Sequence, residues 1–288
     1  MRLAYFPGCK ISFGLAEYGE AVEALMKHLG VTLVKLPFNC CGNPARSKDL
    51  SASVLASIRN LTMALDQGLD ILTPCKCCFG QFKHGLHWYD TDKVIREKVD
   101  LALEEDGLTF PGTGLIQDPG TGGLEERPPK VRHLLDFLYH DIGTDTLAGK
   151  ITPRLPKPKV VLQQGCHALR PYAVTRFDNP FNPVMFGELA RACGLETVSW
   201  SKETECCGDP VADTHTDLAF RMRREKLASA ARTGATTICT ACTHCQIQYD
   251  RGVPGDTGDV TAVPFAMLLG RALGLKAKVF RIDSLKPE

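Results

Sequence analysis

No stretch of this sequence is apolar and unbroken for long enough to cross a bilayer. The longest late apolar run, residues 262–275, is cut by Pro264, Gly270 and Arg271 and reads as an amphipathic helix. An excess of one charge is missing too. Lys and Arg number 34 against 33 Asp and Glu, a formal net charge of +1, so no overall field draws in nucleic acid or an acidic membrane surface. No Gly-x-Gly-x-x-Gly fingerprint and no phosphate-cradling glycine loop occurs, and the isolated Gly-Thr-Gly turns do not replace one; neither a nucleotide nor a flavin site is expected. The residues after Arg2 are broken by Pro7 and Gly8 before a signal-peptide apolar core can form, which leads to the expectation of a cytoplasmic chain.

Cysteine is what the sequence has in excess. Thirteen among 288 residues is high for a chain expected in a reducing compartment, where stable disulfides are rare, and points to metal or redox chemistry. Their order repeats. The first half carries Cys9, then Cys40-Cys41-Gly42-Asn43-Pro44, then Cys75-x-x-Cys78; the second carries Cys166, then Cys206-Cys207-Gly208-Asp209-Pro210, then Cys242-x-x-Cys245. The offsets are 157, 166 and 167 residues, each first cysteine follows a glycine (Gly8, Gly165), and each pair is followed by Gly-x-Pro. Three elements in one order at a nearly constant offset mark an internal duplication with two equivalent sites.

Apolar spacing predicts where these cysteines sit. Short strands are expected at residues 3–6 and 159–163, then helices at 17–29 and 184–193 stopped by Gly30 and Gly194. Second strands follow at 32–36 and 197–200, longer helices at 51–65 and 216–231, and third strands at 70–73 and 236–239. Strands alternating with helices imply parallel sheets with right-handed crossovers, whose binding sites lie beyond the carboxyl ends of the strands. Every cysteine element falls just after a strand, near helix amino termini that favour an anionic group. The expected fold is α/β: two duplicated domains, each a small parallel sheet with flanking helices and cysteines at the carboxyl ends of the strands. The division expected is residues 1–105, a linker and connecting helix at 106–140, and 141–288. The Gly- and Pro-rich stretch 106–130 reads as a loop, and a short helix is expected at 131–139.

Zinc is normally held by four ligands, whereas each half offers five cysteines, one more than zinc or a conventional cubane cluster uses. Thiolates are soft donors suited to iron–sulfur centres, the leading expectation; zinc and purely structural or disulfide cysteines stay open beside it.

The order Cys, then Cys-Cys-Gly, then CxxC resembles the cysteine-rich CCG domain found in tandem in the B-type subunit of heterodisulfide reductase. Gln164-Gly-Cys-His-Ala-Leu-Arg-Pro171 and Asp178-Asn-Pro180 look like that subunit's second domain. The resemblance spans nearly the whole chain. It is specific for the superfamily and less so for substrate, since tandem CCG domains also occur in glycolate and lactate oxidation proteins, thiol-fumarate reductases and archaeal succinate dehydrogenase subunits.

The resemblance implies two noncubane 4Fe–4S clusters, one ligated by Cys9, Cys40, Cys41, Cys75 and Cys78, the other by Cys166, Cys206, Cys207, Cys242 and Cys245. It implies an oxidoreductase that cleaves a heterodisulfide, small-molecule or protein-borne, to two thiols between those clusters, with no protein nucleophile. The implied partners are a C-type subunit with cubane 4Fe–4S clusters and a flavin-containing A-type subunit. The alternatives are an electron-relay or docking subunit of a dehydrogenase or quinone-linked complex without disulfide turnover and, more remotely, a zinc-bound structural protein.

Two extra cysteines leave choices open. Cys77 allows the last ligands of the first half to shift by one, and Cys239 gives overlapping CxxC pairs in the second. Spacing favours Cys242 and Cys245, because 34 residues separate Cys207 from Cys242 and 33 separate Cys41 from Cys75, against 31 to Cys239. Cys193, at an apolar helical position, reads as a buried structural thiol. His167 and His244, beside the proposed ligands, could bond a sulfur or give a proton to a product thiolate, although a packing role is the plainer expectation. Lys10, Arg46, Lys76, Lys83 and Arg170 lie near the cysteine elements and could bind an anionic tail, but each taken singly is expected to face solvent. His84 and His87 have helical spacing without a carboxylate partner, so no metal site is expected there.

Overall fold

The computed structural model describes residues 1–112, 115–117, 124–126, 129–152, 159–251 and 260–280. In the first half β1 (Arg2–Tyr5) leads through α1 (Cys9–Gly14) and α2 (Ala16–His28) to β2 (Thr32–Lys35), followed by α3 (Leu50–Asp66), β3 (Ile71–Thr73), α4 (Lys76–Thr91) and α5 (Lys93–Glu105). After an antiparallel pair, β4 (Leu115–Gln117) and β5 (Leu124–Glu126), come β6 (Val131–His133), α6 (Leu134–Phe137) and α7 (Thr144–Ala148). The second half runs β7 (Lys159–Leu162), α8 (Cys166–Leu169), α9 (Tyr172–Thr175), α10 (Met185–Ala192), β8 (Glu196–Thr197), α11 (Thr216–Ala231), β9 (Thr237–Thr240), α12 (Thr243–Asp250), β10 (Thr261–Pro264) and α13 (Phe265–Ala272).

Local chemistry explains these elements. In α2 the residues Tyr18, Ala21, Val22, Leu25 and Met26 recur at helical spacing and are buried as one stripe. Helix α3 begins where the Asp49 carboxylate accepts the Ala52 N–H at 2.9 Å, and α5 where Asp92 accepts from Val94 and Ile95. Strands β3 and β9 are buried along their whole length, as expected for a parallel sheet covered on both faces.

The two halves have the same topology. One sheet has the order β2-β1-β3-β6 and the other β8-β7-β9-β10, with parallel neighbours throughout. In each, the chain leaves the first strand in one direction and returns on its other side, which places a crevice at the carboxyl ends of the two central strands. The α/β fold with a parallel sheet in each half is therefore observed.

Three details differ from the sequence reading. Residues 131–133, expected to start a helix, form β6 and complete the first sheet against β3. The second strand of the second half shrinks to Glu196–Thr197. The run at 262–275 is part strand and part helix, because Pro264 ends β10 and caps α13. The expected loop at 106–130 lies partly outside the described residues.

The halves pack through helices. Helix α4 lies on α8 and α9, α12 meets α1 and α4, and α2 lies on α13. His133 ties the sheets together. Its Nδ1 accepts the Leu135 N–H at 3.1 Å, so Nε2 carries the proton and donates to the Ala241 carbonyl at 3.0 Å. Among the described residues no helix is long and apolar enough to cross a membrane.

Candidate metal centre

Each cysteine element is set by the strand or helix it touches. Cys9 and Cys166 open α1 and α8, directly after β1 and β7. Cys75 and Cys242 occupy the residue before the first turn of α4 and α12, so Cys78 and Cys245 lie within that turn. A helix amino terminus presents free N–H groups and a positive dipole end, which favours thiolate over thiol.

The adjacent pairs depend on Gly42 and Gly208, with φ of 95° and 93°. A side chain there would be strained by the backbone alone. At Gly42 it would also meet the Ser53 carbonyl oxygen at 2.3 Å, and at Gly208 the Ala219 oxygen at 3.1 Å. Polar groups of α3 and α4 fix the first turn: Ser57 Oγ donates to the Cys41 carbonyl (2.8 Å), Ser53 Oγ to that of Gly42 (2.9 Å), and Gln81 Nε2 to both hydroxyls (3.1 and 2.9 Å). In the second half Gln248 stands where Gln81 does, and its Nε2 donates to the Ala219 carbonyl at 3.0 Å.

The thiols form two connected strings. Neighbouring thiols act on one another in order: Cys9 on Cys40, Cys40 on Cys41, Cys41 on Cys78 and Cys78 on Cys75. Cys166, Cys206, Cys207, Cys245 and Cys242 repeat that order. One end of each string is half-exposed, at Cys9 with Cys40 and at Cys166 with Cys206; the rest is buried. The buried ends meet. Cys75 and Cys242 act on each other's thiols, Thr243 Oγ1 donates to Cys75 Sγ at 3.0 Å, and Cys77 Sγ lies 3.7 Å from Cys242 Sγ.

Electrostatics repeat with the fold. Hydrogen bonds from Cys41 and Cys9 hold the Cys40 thiol down at about 2, and bonds from Cys166 and Cys207 hold Cys206 at about 2. Cys75 is also held below the ordinary thiol value, its hydrogen bonds from Cys242, Cys77 and Cys78 outweighing burial, and Cys242 is lowered chiefly by Cys245. Cys9 and Cys41 are pushed up first by Cys40, Cys166 and Cys207 first by Cys206, and Cys78 and Cys245 first by Cys41 and Cys207. The lowered thiols thus stand at matching positions in the two halves.

A cleft of about 510 Å³ opens between the halves. Its walls are the turns Asn43-Pro44 and Asp209-Pro210, and Lys10, Arg46, Arg251, His167 and His244 line it. His244 also lines the inner pocket that holds Cys77 and the second string. Burial opposes its charge, yet the hydrogen bond to Asp209 Oδ2 (2.5 Å) and the sulfur charge of Cys75 and Cys242 raise it to about 9. The other Asp209 oxygen lies 3.4 Å from Arg251 Nη2, close enough for charge attraction but with no hydrogen bond formed. Arg46 Nη1 is 3.3 Å from His167 Nε2; guanidinium only donates, so His167 carries its proton on Nδ1, 4.0 Å from Cys77 Sγ. Burial and the nearby charges of Arg46 and His244 lower His167.

Outside the strings, Cys77 sits at their junction, Cys239 lies within β9, and Cys193 is buried with its thiol pushed up to about 12 by desolvation. Lys76 does not face solvent, contrary to expectation. It is 1% exposed, its ammonium donates to the Gln164 carbonyl, and Phe177 and Phe186 stand over it at 5.7 and 4.8 Å. Lys10 and Arg46 are half-buried cleft residues, Lys83 is half-buried 5.8 Å from the Phe79 ring, and Arg170 is exposed, donating to the Thr204 carbonyl at 2.7 Å. His84 is buried and stacks on Trp88 at 5.3 Å, while His87 is exposed. Sequence reasoning missed Asp209, Arg251 and the buried Lys226; comparing the repeats position by position, where Asp209 faces Asn43, was the available signal.

Comparison with known proteins agrees with this duplication. A family model described as a cysteine-rich domain, CCG, matches residues 3–83 and again 160–250. The chain belongs to the tandem CCG family. This CCG chain is 30% identical to the B-type subunit of the ferredoxin/F(420)H(2)-dependent CoB-CoM heterodisulfide reductase of Methanosarcina acetivorans, across 98% of the chain and 92% of that protein. It is 27% identical to the 8-methylmenaquinol:fumarate reductase membrane anchor subunit of Wolinella succinogenes, across 96% and 94%. A hypothetical protein from Helicobacter pylori shares the fold with a TM-score of 0.68 at 11% identity; 99% of this CCG chain matches 50% of that longer one.

Proposed function

We propose that this chain is the catalytic iron–sulfur subunit of a heterodisulfide reductase-like complex. The observation that carries the reading is the meeting of two five-thiol strings at Cys75 and Cys242 beneath one cleft. The donor set fits iron–sulfur clusters: ten soft sulfurs in two matching sets of five, each set beside helix amino termini. In this reading Cys9, Cys40, Cys41, Cys75 and Cys78 hold one noncubane 4Fe–4S cluster, and Cys166, Cys206, Cys207, Cys242 and Cys245 hold the other. Bound clusters of this kind supply electrons one at a time and have affinity for sulfur.

The reaction is RSSR′ + 2e⁻ + 2H⁺ → RSH + R′SH. The cleft admits and orients the disulfide, and its walls limit water at the buried ends of the strings. His244, held through Nδ1 by Asp209, lines both cleft and inner pocket and stands where its Nε2 can pass a proton to a product sulfur. His167 holds its Nδ1 proton toward the same junction. Electrons come from a C-type subunit with cubane clusters, fed by a flavin-containing A-type subunit. A relay role is the second reading, favoured by the likeness to a fumarate reductase subunit.

Anaerobically purified protein is expected to contain about eight irons with matching acid-labile sulfide, and to reduce a disulfide with an artificial one-electron donor. Cys41→Ala should lose that turnover. Turnover at the wild-type level in Cys41→Ala would defeat the reading, and iron without any disulfide turnover would favour the relay.

A further inference from the structure

The duplication allows the two sites to be compared position by position, and their surroundings are not equal. Helices α3 and α11 start 166 residues apart, and the carbonyls facing Gly42 and Gly208, of Ser53 and Ala219, keep that offset. Lys226 on α11 therefore corresponds to Asn60 on α3. Both reach the same backbone: Asn60 Nδ2 donates to the Asn39 carbonyl at 3.4 Å, and Lys226 Nζ donates to the equivalent Glu205 carbonyl at 3.1 Å and also to that of Lys202. Asn60 is neutral, whereas Lys226 is a charged group 1% exposed, with Trp200 over its ammonium at 4.8 Å.

The CxxC motifs differ in the same direction. At their offset of 167, Lys76 corresponds to Thr243. Thr243 gives Cys75 one neutral hydrogen bond. Lys76 belongs to the first half by sequence but plants its ammonium in the second, on Gln164 and between Phe177 and Phe186. Lys76 lines the inner pocket with Cys166, Cys206, Cys207, Cys242 and Cys245, and Lys226 Nζ holds the carbonyl of Glu205, the residue before Cys206; the charges of these second-half sulfurs act on both. Both buried cations thus serve the second string.

Other charges do not cancel this. His244 acts on Cys40 and Cys75 of the first string as well as on Cys242, but its charge is paired with the Asp209 carboxylate at 2.5 Å. Asp209 faces His244 and Arg251, Asp178 is held by the amides of Val184 and Met185, and the exposed Glu205 carboxylate pairs with Lys202. The first string has Lys10 beside Cys9, half-exposed and screened by water.

We propose that the two sites, built from the same five-cysteine set, have different reduction potentials, and that Lys76 and Lys226 make the second site the easier to reduce. The inference rests on the iron–sulfur reading above. Reduction adds negative charge to a cluster, and a fixed cation in a dry interior stabilises the reduced form more than the oxidised one. Lys76 and Lys226 are positioning residues for the electron. The first electron to arrive settles in the second half, on one side of the cleft.

The test is an anaerobic redox titration of the iron-loaded full chain, followed by electron paramagnetic resonance. Two one-electron transitions are expected, separated by at least a tenfold difference in reduction equilibrium, about 59 mV. Lys226→Met should lower the upper transition by at least that amount and leave the lower one in place, and Lys226→Arg should restore it. Lys76→Met should move the same transition and serves if Lys226→Met loses iron. Coincident transitions in the wild type, or a Met variant that shifts the lower transition or both together, overturn the proposal. A wild-type chain that takes up no iron instead overturns the iron–sulfur reading beneath it.

Discussion

At Gly42 an added methyl group would meet the Ser53 carbonyl oxygen at 2.3 Å, a backbone atom of a packed helix that cannot swing aside. At Gly208 the corresponding gap to Ala219 is 3.1 Å, so a shift of a few tenths of an ångström would relieve it. Both positions carry the same positive φ, which costs any other residue about 1 kcal/mol or more. Gly42→Ala is therefore expected to lose about 2–4 kcal/mol and Gly208→Ala about 1–2 kcal/mol. Urea unfolding of the two variants measures this, and equal losses would show that the turns, not the facing helices, set the cost. The glycines were legible in the sequence as part of Cys-Cys-Gly. The difference between them was not, because it depends on how closely each long helix approaches its turn.

Between elements the main tie is His133, which ends β6, caps α6 and reaches the segment after β9 through Ala241. Burial first, then the charge of Lys76, depresses it to about 3 from an ordinary 6.5. Between those values the unfolded imidazole takes up a proton that the folded one refuses, so stability falls as pH drops through that window. The expected slope from this one group is about 1.4 kcal/mol per pH unit well below 6.5. His133→Gln should be less stable at pH 7 but should lose less on acidification from 6.5 to 4.5, read as the change in urea midpoint. An unaltered acid slope in that variant would assign the effect to other groups. Nothing in the sequence around His133 announced this role. Periodicity located α2, α3 and α11 to within a residue or two; α2 buries an apolar stripe, whereas α11 buries Ala219, Leu227 and Ala230 beside Arg223, Lys226 and Ser229. It misread 131–133, where three residues are too few to show a period and pairing with β3, four intervening elements earlier in the chain, decides the outcome.

For the molecule as a whole, the buried core runs without interruption through both halves, and Lys76 and His133 of the first are seated against the second. Two such halves should unfold together. The chain has two tryptophans, Trp88 in the first half and Trp200 in the second. Single-tryptophan variants, Trp88→Phe and Trp200→Phe, are expected to report urea midpoints for the remaining probe that coincide once each variant's own stability change, taken from circular dichroism, is accounted for. A fluorescence transition that departs from the circular dichroism transition of the same variant would show the halves melting apart.

The order of the donors, their number, the duplication and the alternation that makes a parallel sheet were all present in the sequence, because each is a local pattern that repeats at a fixed interval. That the two strings come together at Cys75 and Cys242, that Cys77 stands between them, and that a lysine of one repeat is buried in the other were decided only by tertiary structure. Those contacts join residues far apart in the chain, and they depend on which faces of α4, α8 and α12 pack together, a choice made by the shape and burial of the whole interface.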